Sequence, residues 1–395
     1  MKLRLFGLIL VLVLLMGVLC VPALADDPVT ITVYNWGQYI SDGSDDCIDV
    51  IAEFEAATGI QVNYVTFDSN ETMYTKLKTG GESYDVIIPS DYMIARLIAE
   101  DMLLPLDYDN IPNYALVDSQ FKNTDFDPDN RYSVPYTWGT VGVIYNTKYV
   151  DAADVGSWDL LWNEKYSGKI LMFDNCRDAF GIAELSLGYS LNTTDPAQLQ
   201  AAADLLKTQK PLVQSYVMDQ IFDSMEREEA WIAPYYAGDY LLMVQENPDL
   251  AFYFPSEGFN VFLDSMCIPT CATHKAEAEA FINFMCRPEI SGENLDYLGY
   301  STPISQAKEY MSEDVVESPI AYPDDATLAN ATSFTYLPIE TSQRMDALWL
   351  EVKTSGSNAA VYIVIAVVVV VALVVLLVVR NQSKKKKKAR RGTSQ

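Results

Sequence analysis

The chain has 395 residues, of which 50% are hydrophobic and 21% charged, a composition that supports two ordinary domains and excludes a disordered polypeptide. Its formal net charge is −27, although both ends are basic. Without the ten basic residues of those ends (Lys2, Arg4, Arg380, residues 384–388, Arg390 and Arg391) the charge falls from −27 to −37. So acidic a region repels nucleic acid and attracts cations, although the same acidity also keeps a secreted protein soluble.

The first 25 residues have the pattern of a signal peptide. A short basic start is followed by an apolar run over residues 5–19 and by the small-residue cleavage pattern Ala23-Leu-Ala25. Cys20 as a lipid-anchored cysteine is disfavoured, because the bulky Leu19 precedes it. The mature chain is therefore expected to begin near Asp26.

The C-terminal region has the pattern of a membrane anchor. Residues 359–379 form an almost purely aliphatic segment that is long enough, as a helix, to cross a hydrocarbon layer of about 30 Å. Residues 355–358 read as a linker, and the basic residues 380–395 read as a cytoplasmic tail by the positive-inside rule. The sequence thus predicts a protein on the cell surface, or on the periplasmic side of the plasma membrane, held by a single-pass C-terminal transmembrane helix.

The first half of the region between these ends has the rhythm of a βαβ unit. The predicted elements are a strand that starts at Ile31, a helix over 47–57, a strand over 60–65, a helix over 71–78 and a strand over 84–89. The first strand is stopped by the turn formers Asn35 and Gly37. Such alternation predicts a parallel sheet, whose strand-end loops are where ligands bind in α/β proteins.

The second half repeats this architecture without repeating its sequence. Residues 132–145 are strand-like, with glycines where backbones must approach closely. The predicted elements that follow are a helical turn over 158–162, a strand over 168–173, a loop over 174–178, helices over 179–187 and 195–207, a strand over 230–233, a loop over 234–239, a helix over 240–246, strands over 252–254 and 260–268, a helix over 275–285, a turn over 299–303 and a helix over 345–352.

Cysteine usage leaves the pairing open. Cleavage of the signal peptide would leave five cysteines, an odd number, at positions Cys47, Cys176, Cys267, Cys271 and Cys286. A zinc site at the Cys267–Cys271 pair is disfavoured, because the only histidine is His274. Buried thiols or one disulfide remain as alternatives, and no metal or cofactor is predicted.

The strand-end loops collect rings and acids. They offer Trp36, Gln38, Tyr39, Ser90, Tyr92, Asp178, Tyr236, Phe262, Asp264 and Tyr300. Ring faces attract an ammonium group and cover methylene groups, while a carboxylate binds each charged end, so the set fits an organic cation. Taken singly, each ring is as readily explained by core packing and each Asp by a turn or helix cap. The interpretation therefore depends on whether the loops converge.

The chain resembles the spermidine/putrescine-binding proteins of bacterial polyamine ABC transporters over nearly all of residues 30–352. The residues that carry the resemblance are Tyr34-Asn-Trp36 with Tyr39, residues 69–79, Tyr84-Asp-Val86 with Pro89-Ser90, residues 132–139, residues 187–196, Asp264-Ser265 with Ile268-Pro269, Ile282-Asn-Phe284, and Gly299-Tyr300 with Thr302-Pro303. Several long segments that match in order form a specific signal.

The resemblance implies an α/β, two-domain periplasmic-binding-protein-like fold of type II that closes on its ligand and presents it to a membrane permease. It assigns residues 26–139 and 264–308 to the first lobe and residues 140–263 to the second. Residues 309–354 are expected to pack back on the lobes. A monomer is expected.

The resemblance also implies roles for single residues. An aromatic clamp would comprise Trp36, Tyr39, Tyr92, Tyr236, Phe262 and Tyr300, with Asp178 and Asp264 as amine-binding acids and Ser90 as a hydroxyl. Gln38 and Asn175 stand where family members often carry a carboxylate. An amide accepts a weaker hydrogen bond from an ammonium group than a carboxylate does, so the preferred amine remains open. Asp91 and Asp174, next to matched positions, are candidates for compensation.

The sequence thus predicts a membrane-tethered receptor that captures polyamines and delivers them to an ABC importer. A receptor of the same fold for another small solute is an alternative, as is a surface sensor or adhesin without transport. A glycosidase that uses Asp178 and Asp264 as acid and base is disfavoured, since no nucleophile or metal motif supports catalysis.

Overall fold

The structure is a computed structural model that describes residues 28–44 and 47–355. The predicted signal peptide (1–25), transmembrane segment (359–379) and basic tail (380–395) lie outside the described residues, as do residues 356–358 of the linker. Within the described ranges, no helix is both long enough and apolar enough to span a bilayer.

The described residues form a ten-stranded sheet. In chain order its strands are β1 (Thr30–Trp36), β2 (Gln61–Phe67), β3 (Val86–Ile87), β4 (Ser133–Asn146), β5 (Ile170–Phe173), β6 (Val213–Val217), β7 (Ile232–Tyr236), β8 (Leu250–Tyr253), β9 (Phe259–Cys267) and β10 (Ala331–Thr332). Their order across the sheet is β2-β1-β3-β9-β4-β7-β5-β6, with β8 beside β4 and β10 beside β9. The strands at each end of the sheet pair in parallel, as βαβ units require, whereas the central strands β9, β4 and β7 pair antiparallel.

Helices flank both ends of the sheet. They are α1 (Val50–Thr58), α2 (Asn70–Thr79), α3 (Asp91–Ala99), α4 (Cys176–Ser186), α5 (Pro196–Gln209), α6 (Ile221–Glu226), α7 (Ala237–Glu246), α8 (Lys275–Met285), α9 (Pro288–Leu298), α10 (Glu313–Val316), α11 (Asp325–Leu328) and α12 (Ile339–Thr354). Local signals set several of their ends. Ser69 and Thr72 form a capping box at the start of α2, and Gly59 ends α1 in a left-handed conformation with φ 74°.

Two long strands join the two lobes. Residues 133–140 of β4 pair with β9, and from Val141 onward β4 pairs with β7 of the second lobe. At Gly142 a Cβ atom would lie 2.3 Å from Cζ of Phe252, so a side chain has no room there. The glycine lets β8 approach the crossing strand closely.

Each lobe has its own hydrophobic core. In the first lobe, Val33 of β1 and Phe54 of α1 are fully buried. Trp158 and Phe180 are fully buried in the second lobe. The last helix, α12, packs on α4 and α5 and buries Val352 in this second core.

Most predicted elements are present, and residues 275–285 form a helix with the predicted bounds. Four residues predicted on loops lie instead on helices or strands. Asp91 and Tyr92 lie in the first turn of α3, and Asp178 lies in the first turn of α4. Tyr236 is the last residue of β7 and is followed directly by α7. The first turn of a helix favours polar and acidic residues, as loops do, so the composition does not separate the two.

The cysteines carry free thiols. Within the described part of the chain Cys47, Cys176, Cys267, Cys271 and Cys286 are all unpaired, and three of them are buried. Of the two alternatives left by the sequence, buried thiols are therefore present and the single disulfide is not. Burial raises the pKa of the Cys286 thiol to about 12, which keeps it protonated and unreactive.

Candidate ligand-binding site

A single cavity between the lobes is lined by all eleven residues predicted as site residues. They are Trp36, Gln38, Tyr39, Ser90, Tyr92, Asn175, Asp178, Tyr236, Phe262, Asp264 and Tyr300. The empty volume of the cavity, with its opening to solvent, is about 690 Å³. Ten further residues line it: Gly37, Asn70, Asp91, Met218, Asp219, Phe222, Tyr235, Asp239, Asn260 and Phe334.

The loop after β1 is held in shape by Asn35, which is fully buried. Its Oδ1 accepts a hydrogen bond from the backbone N–H of Trp36 at 2.9 Å, and its Nδ2 donates to the carbonyl of Tyr39 at 3.1 Å. Between them Gln38 has φ 48°, a left-handed conformation that non-glycine residues seldom adopt, and its side chain is exposed. Asn35 thus places the rings of Trp36 and Tyr39 on the cavity wall.

Asp264 lies on β9 with only 4% of its surface exposed. The hydroxyl of Tyr39 donates to its Oδ2 at 2.9 Å, while its Oδ1 is buried without a hydrogen-bond partner among the described residues. Burial raises the pKa of Asp264 to about 7, although the hydroxyls of Ser90 and Tyr39 favour the ionised form. A buried carboxylate with a free acceptor is suited to a donor that a ligand supplies.

Asn70 orders the side of the cavity formed by α3. Its Nδ2 donates to the hydroxyls of Ser90 and Tyr92, each at 3.1 Å, and the Tyr92 hydroxyl donates to Oε1 of Glu71 at 3.0 Å. Asn70 itself is 1% exposed. It therefore fixes two predicted ligand-binding groups at once.

The second lobe contributes the start of α4. Asn175 is the N-cap of this helix, and its Oδ1 accepts from the backbone N–H of Arg177 at 3.0 Å. Oδ2 of Asp178 accepts from the hydroxyl of Tyr236 at 3.0 Å. Burial raises the pKa of Asp178 to about 7, and the nearby Arg177 opposes that rise. The amide at position 175 thus serves the helix, whereas Asp178 faces the cavity.

Rings from both lobes meet around these acids. The Tyr39 and Tyr300 ring centroids lie 5.4 Å apart edge to face, and those of Tyr236 and Phe262 lie 5.5 Å apart in the same geometry. A Cβ atom at Gly238 would lie 2.4 Å from the Tyr300 ring, so glycine is required where α7 passes that ring. The rings form an apolar wall that would cover methylene groups.

Asp239 and Asp219, which the sequence analysis did not name as site residues, add two more carboxylates. Oδ2 of Asp239 accepts from the hydroxyl of Tyr300 at 3.1 Å. Burial raises the pKa of Asp239 to about 8, and the neighbouring Asp219 adds to the rise. Asp239 is the last residue of the loop predicted over residues 234–239, so the strand-end rule that selected Asp178 would also have selected it.

The charged side chains in the described lining of the cavity are all acidic. Its described lining includes five aspartates and no Lys, Arg or His. Arg177 lies close enough to Asp91 and Asp178 to favour their ionised forms. No group of three or more His, Cys, Asp or Glu residues suited to a metal ion occurs in the described ranges. The arrangement is suited to an organic cation held by carboxylates at its charged groups and by rings along its apolar parts.

A second, smaller cavity of about 430 Å³ lies on the other side of Tyr92. Its lining carries two acids, Glu71 and Asp346, and two cations, Arg96 and Arg177. Burial raises the pKa of Glu71 and of Asp346, and Arg96 opposes both rises. Its lining therefore carries equal numbers of acidic and cationic side chains.

Two α/β lobes joined by crossing strands, with a ligand cavity between them, define a solute-binding protein. The sequence model of the family described as bacterial extracellular solute-binding protein matches residues 49–324, and the chain belongs to this family. This family is one of binding proteins, so the prediction that the chain is not an enzyme is confirmed.

Within this family, the chain is similar to several proteins that are named for binding polyamines. The spermidine/putrescine-binding periplasmic protein of Escherichia coli is 35% identical over 307 residues, which cover 78% of this chain and 86% of that protein. The putrescine-binding periplasmic protein of Pseudomonas aeruginosa is 29% identical over 88% of this chain and 98% of its own length. A crystal structure of the spermidine/putrescine ABC transporter substrate-binding protein of Streptococcus pneumoniae superimposes with a TM-score of 0.69 at 39% identity, covering 82% and 99% of the two chains. The predicted resemblance is confirmed.

Proposed function

We propose that this protein binds polyamines such as spermidine or putrescine in the cavity between its lobes and delivers them to an ABC importer. The observation that carries the proposal is the cavity itself, in which buried aspartates stand among aromatic rings and no cationic side chain lines the described wall. Solute-binding relatives named for the same ligands support the choice of cargo.

The acids are distributed so that a bound cation would touch both lobes. Asp264 lies on β9 beside Tyr39 of the first lobe, and Asp178 lies on α4 beside Tyr236 of the second. An ammonium group between these carboxylates would draw the lobes together. In this proposal residues 26–139 and 264–308 act as one lobe and residues 140–263 as the other, and they close as a hinge about β4 and β9.

The proposal includes tethering at the membrane. The support for it is the 21-residue aliphatic segment 359–379, preceded by linker 355–358 and followed by the basic residues 380–395. A protein held at the outer surface in this way would act as a monomer close to its permease partner.

Titration calorimetry of the full chain in detergent tests the cargo. Putrescine and spermidine are expected to bind with measurable heat and to raise the melting temperature, with a stabilisation that grows as the logarithm of ligand concentration over the dissociation constant. Absence of heat with both amines at millimolar concentration would refute polyamine binding. A thermal-shift screen of other small solutes would then identify the cargo of the same cavity.

A further inference from the structure

Strand β4 has an extra residue beside the ligand cavity. Where β4 pairs with β9, Pro135 lies opposite Ser265. The next pair joins Thr137 with Asp264, so Tyr136 has no partner on β9. A β-bulge of this kind bends the strand and re-aims the side chain of the extra residue, and bulges are frequent next to functional sites. The bulge therefore adjoins the residue that lies opposite Asp264.

The side chain at the bulge reaches the loop after β1. The hydroxyl of Tyr136 donates a hydrogen bond to the carbonyl of Tyr39 at 2.6 Å, and the two ring centroids lie 5.7 Å apart. The same carbonyl accepts a hydrogen bond from Nδ2 of Asn35 at 3.1 Å. Tyr136 is 4% exposed and is not among the residues that line the cavity. It therefore contacts a predicted ligand-binding residue from outside the cavity.

Asn294 of α9 sets the direction of this hydrogen bond. Its Nδ2 donates to the hydroxyl oxygen of Tyr136 at 2.9 Å, which leaves the hydroxyl hydrogen to point at the carbonyl of Tyr39. Its Oδ1 accepts from the backbone N–H of Ser41, also at 2.9 Å. Asn294 and Ser41 are both fully buried. One amide thus helps to hold the loop at two backbone positions, Tyr39 and Ser41.

The position of this loop matters because of the contact that Tyr39 makes in the cavity. Its hydroxyl donates to Oδ2 of Asp264 at 2.9 Å, and Asp264 pairs with the residue that follows the bulge. A shift of the Tyr39 backbone would lengthen this hydrogen bond, and O–H···O hydrogen bonds have their favourable geometry only between about 2.5 and 3.0 Å. The bulge therefore links the position of Tyr39 to that of Asp264.

We propose that Tyr136, oriented by Asn294, is a positioning residue for ligand binding, which holds the hydroxyl of Tyr39 on Asp264 from outside the cavity. The inference rests on the proposed function and adds to it a residue that does not touch the ligand. Asn35 belongs to the same loop as Tyr39 and fixes the shape of that loop. Tyr136 instead fixes the loop relative to β4 and β9, the strands that join the lobes.

The test is Tyr136→Phe, which keeps the ring and removes only the hydroxyl. Calorimetry of the full chain in detergent is expected to show putrescine binding weakened about threefold to tenfold, the range for one neutral hydrogen bond. Tyr108→Phe is the matched control, because the Tyr108 hydroxyl donates to the carbonyls of Asn130 and Ser133 in the same hydrophobic core, and none of the three lines the cavity. The control should retain its affinity within about twofold. An equal loss in the control would overturn the inference.

The pH dependence of the loss separates positioning from a purely structural role. The hydrogen bond from Tyr39 favours the ionised form of Asp264, so weakening it raises the pKa of Asp264 further above about 7. The loss of affinity in Tyr136→Phe is therefore expected to be larger at pH 6 than at pH 8. The ionisable groups that interact with Asp264 are Asp91, Asp178, Tyr39 and Tyr136, and the substitution leaves the carboxyl groups among them in place. An equal loss at both pH values would contradict the proposal.

A double-mutant cycle tests whether Tyr136 acts through Tyr39. In a Tyr39→Phe background the hydroxyl on Asp264 is already absent, so adding Tyr136→Phe is expected to weaken putrescine binding by less than about twofold. Fully additive losses would overturn the inference. Asn294→Ala removes the donor that orients the Tyr136 hydroxyl, is expected to act in the same direction, and carries the test if Tyr136→Phe does not fold.

The same titrations separate this inference from the function on which it rests. If the unsubstituted protein binds putrescine and the variants at Tyr136 and Asn294 bind it unchanged, only the positioning role is wrong. If the unsubstituted protein binds no amine, both proposals are overturned.

Discussion

The two cavities on either side of Tyr92 contain similar residues but differ in charge. In the smaller one, the acids Glu71 and Asp346 are matched in number by the cations Arg96 and Arg177. In the larger one, five aspartates line the described wall without a Lys, Arg or His among them. Acidic residues by themselves do not mark a binding site, since both cavities have them. What distinguishes the larger cavity as a binding site is that no positively charged side chain lies in its described lining, so that a ligand must supply the positive charge.

Adding a positive charge to the larger cavity breaks the contrast and gives the largest expected effect. Met218 is a half-buried lining residue that carries no charge. For Met218→Lys, calorimetry is expected to show putrescine binding weakened by more than about 100-fold, since like charges at a binding site cost several kcal/mol. Met218→Gln, of similar length without charge, is the control and should retain affinity within about fivefold. Similar losses in both variants would point to shape rather than charge.

Removing one of the unbalanced charges has the next largest effect. Asp264→Asn is expected to weaken putrescine binding by about 1.5–3 kcal/mol, or roughly 10-fold to 100-fold, the range for hydrogen bonds to charged groups. The ligand-free melting temperature should stay the same or rise, because a buried carboxylate costs free energy in the empty cavity. The exposed Asp249→Asn is the control. A marked fall in the ligand-free melting temperature would instead assign Asp264 a structural role.

The pH dependence of binding follows from the same carboxyl groups. The pKa values of Asp178 and Asp264 are about 7 in the empty cavity, and an ammonium group binds their ionised forms. Affinity for putrescine is therefore expected to rise about tenfold to 100-fold from pH 6 to pH 8, where the amine stays protonated. Calorimetry in buffers of different ionisation enthalpy should detect protons released on binding. Constant affinity over this range would show that the carboxyls are already ionised.

The stability of the ligand-free protein should change in the opposite direction. The folded-state pKa of each of these groups lies above its unfolded value of about 3.9, so each contributes stability below that value that is lost as pH rises toward 7. Thermal denaturation of the unsubstituted protein is expected to show that the melting temperature falls from pH 4.5 to pH 7.5 by this contribution. In Asp264→Asn the fall should be smaller.

The smallest expected effect is at the wall that separates the cavities. Tyr92→Phe keeps the ring but removes the hydroxyl that donates to Glu71 and accepts from Asn70. We expect a loss of about 1 kcal/mol in unfolding free energy and a change in putrescine affinity below about threefold. Tyr149→Phe removes a comparable hydroxyl–Glu228 hydrogen bond at the surface and should cost less. A large loss of affinity in Tyr92→Phe would mean that the hydroxyl itself contacts the ligand.

The sequence was sufficient to predict the two-lobe fold and eleven of the 21 residues that line the cavity, because both follow from local signals and a specific resemblance. The strands β1, β3 and β5 end at Trp36, Ile87 and Phe173, and the residues that follow them reach the cavity between the lobes. Alternation along β9 places Phe262 and Asp264 on the same face. Local periodicity does not predict which segments that are distant in the sequence contact each other in the fold.

The residues that sequence reasoning missed are those whose role depends on long-range contacts. Phe334 lies in an irregular segment between β10 and α12, and its ring packs 5.9 Å from that of Tyr92, more than 200 positions away. Asn70 reads as an ordinary first residue of a helix, and only its contacts with Ser90 and Tyr92 show its role. Asp239 lies in the predicted loop over 234–239, but it is outside the segments that carry the family resemblance.

The strands that connect the lobes also contribute to the cavity, and this has a mechanical consequence. Asp264 lies on β9, one of the two strands about which the lobes would rotate, whereas Asp219 lies on the second lobe against the Gly37 loop. In a rotation about β9, groups on the axis move little and groups far from it travel the most. Asp264 would therefore meet an incoming cation in the open state, and Asp219 would arrive only as the lobes shut.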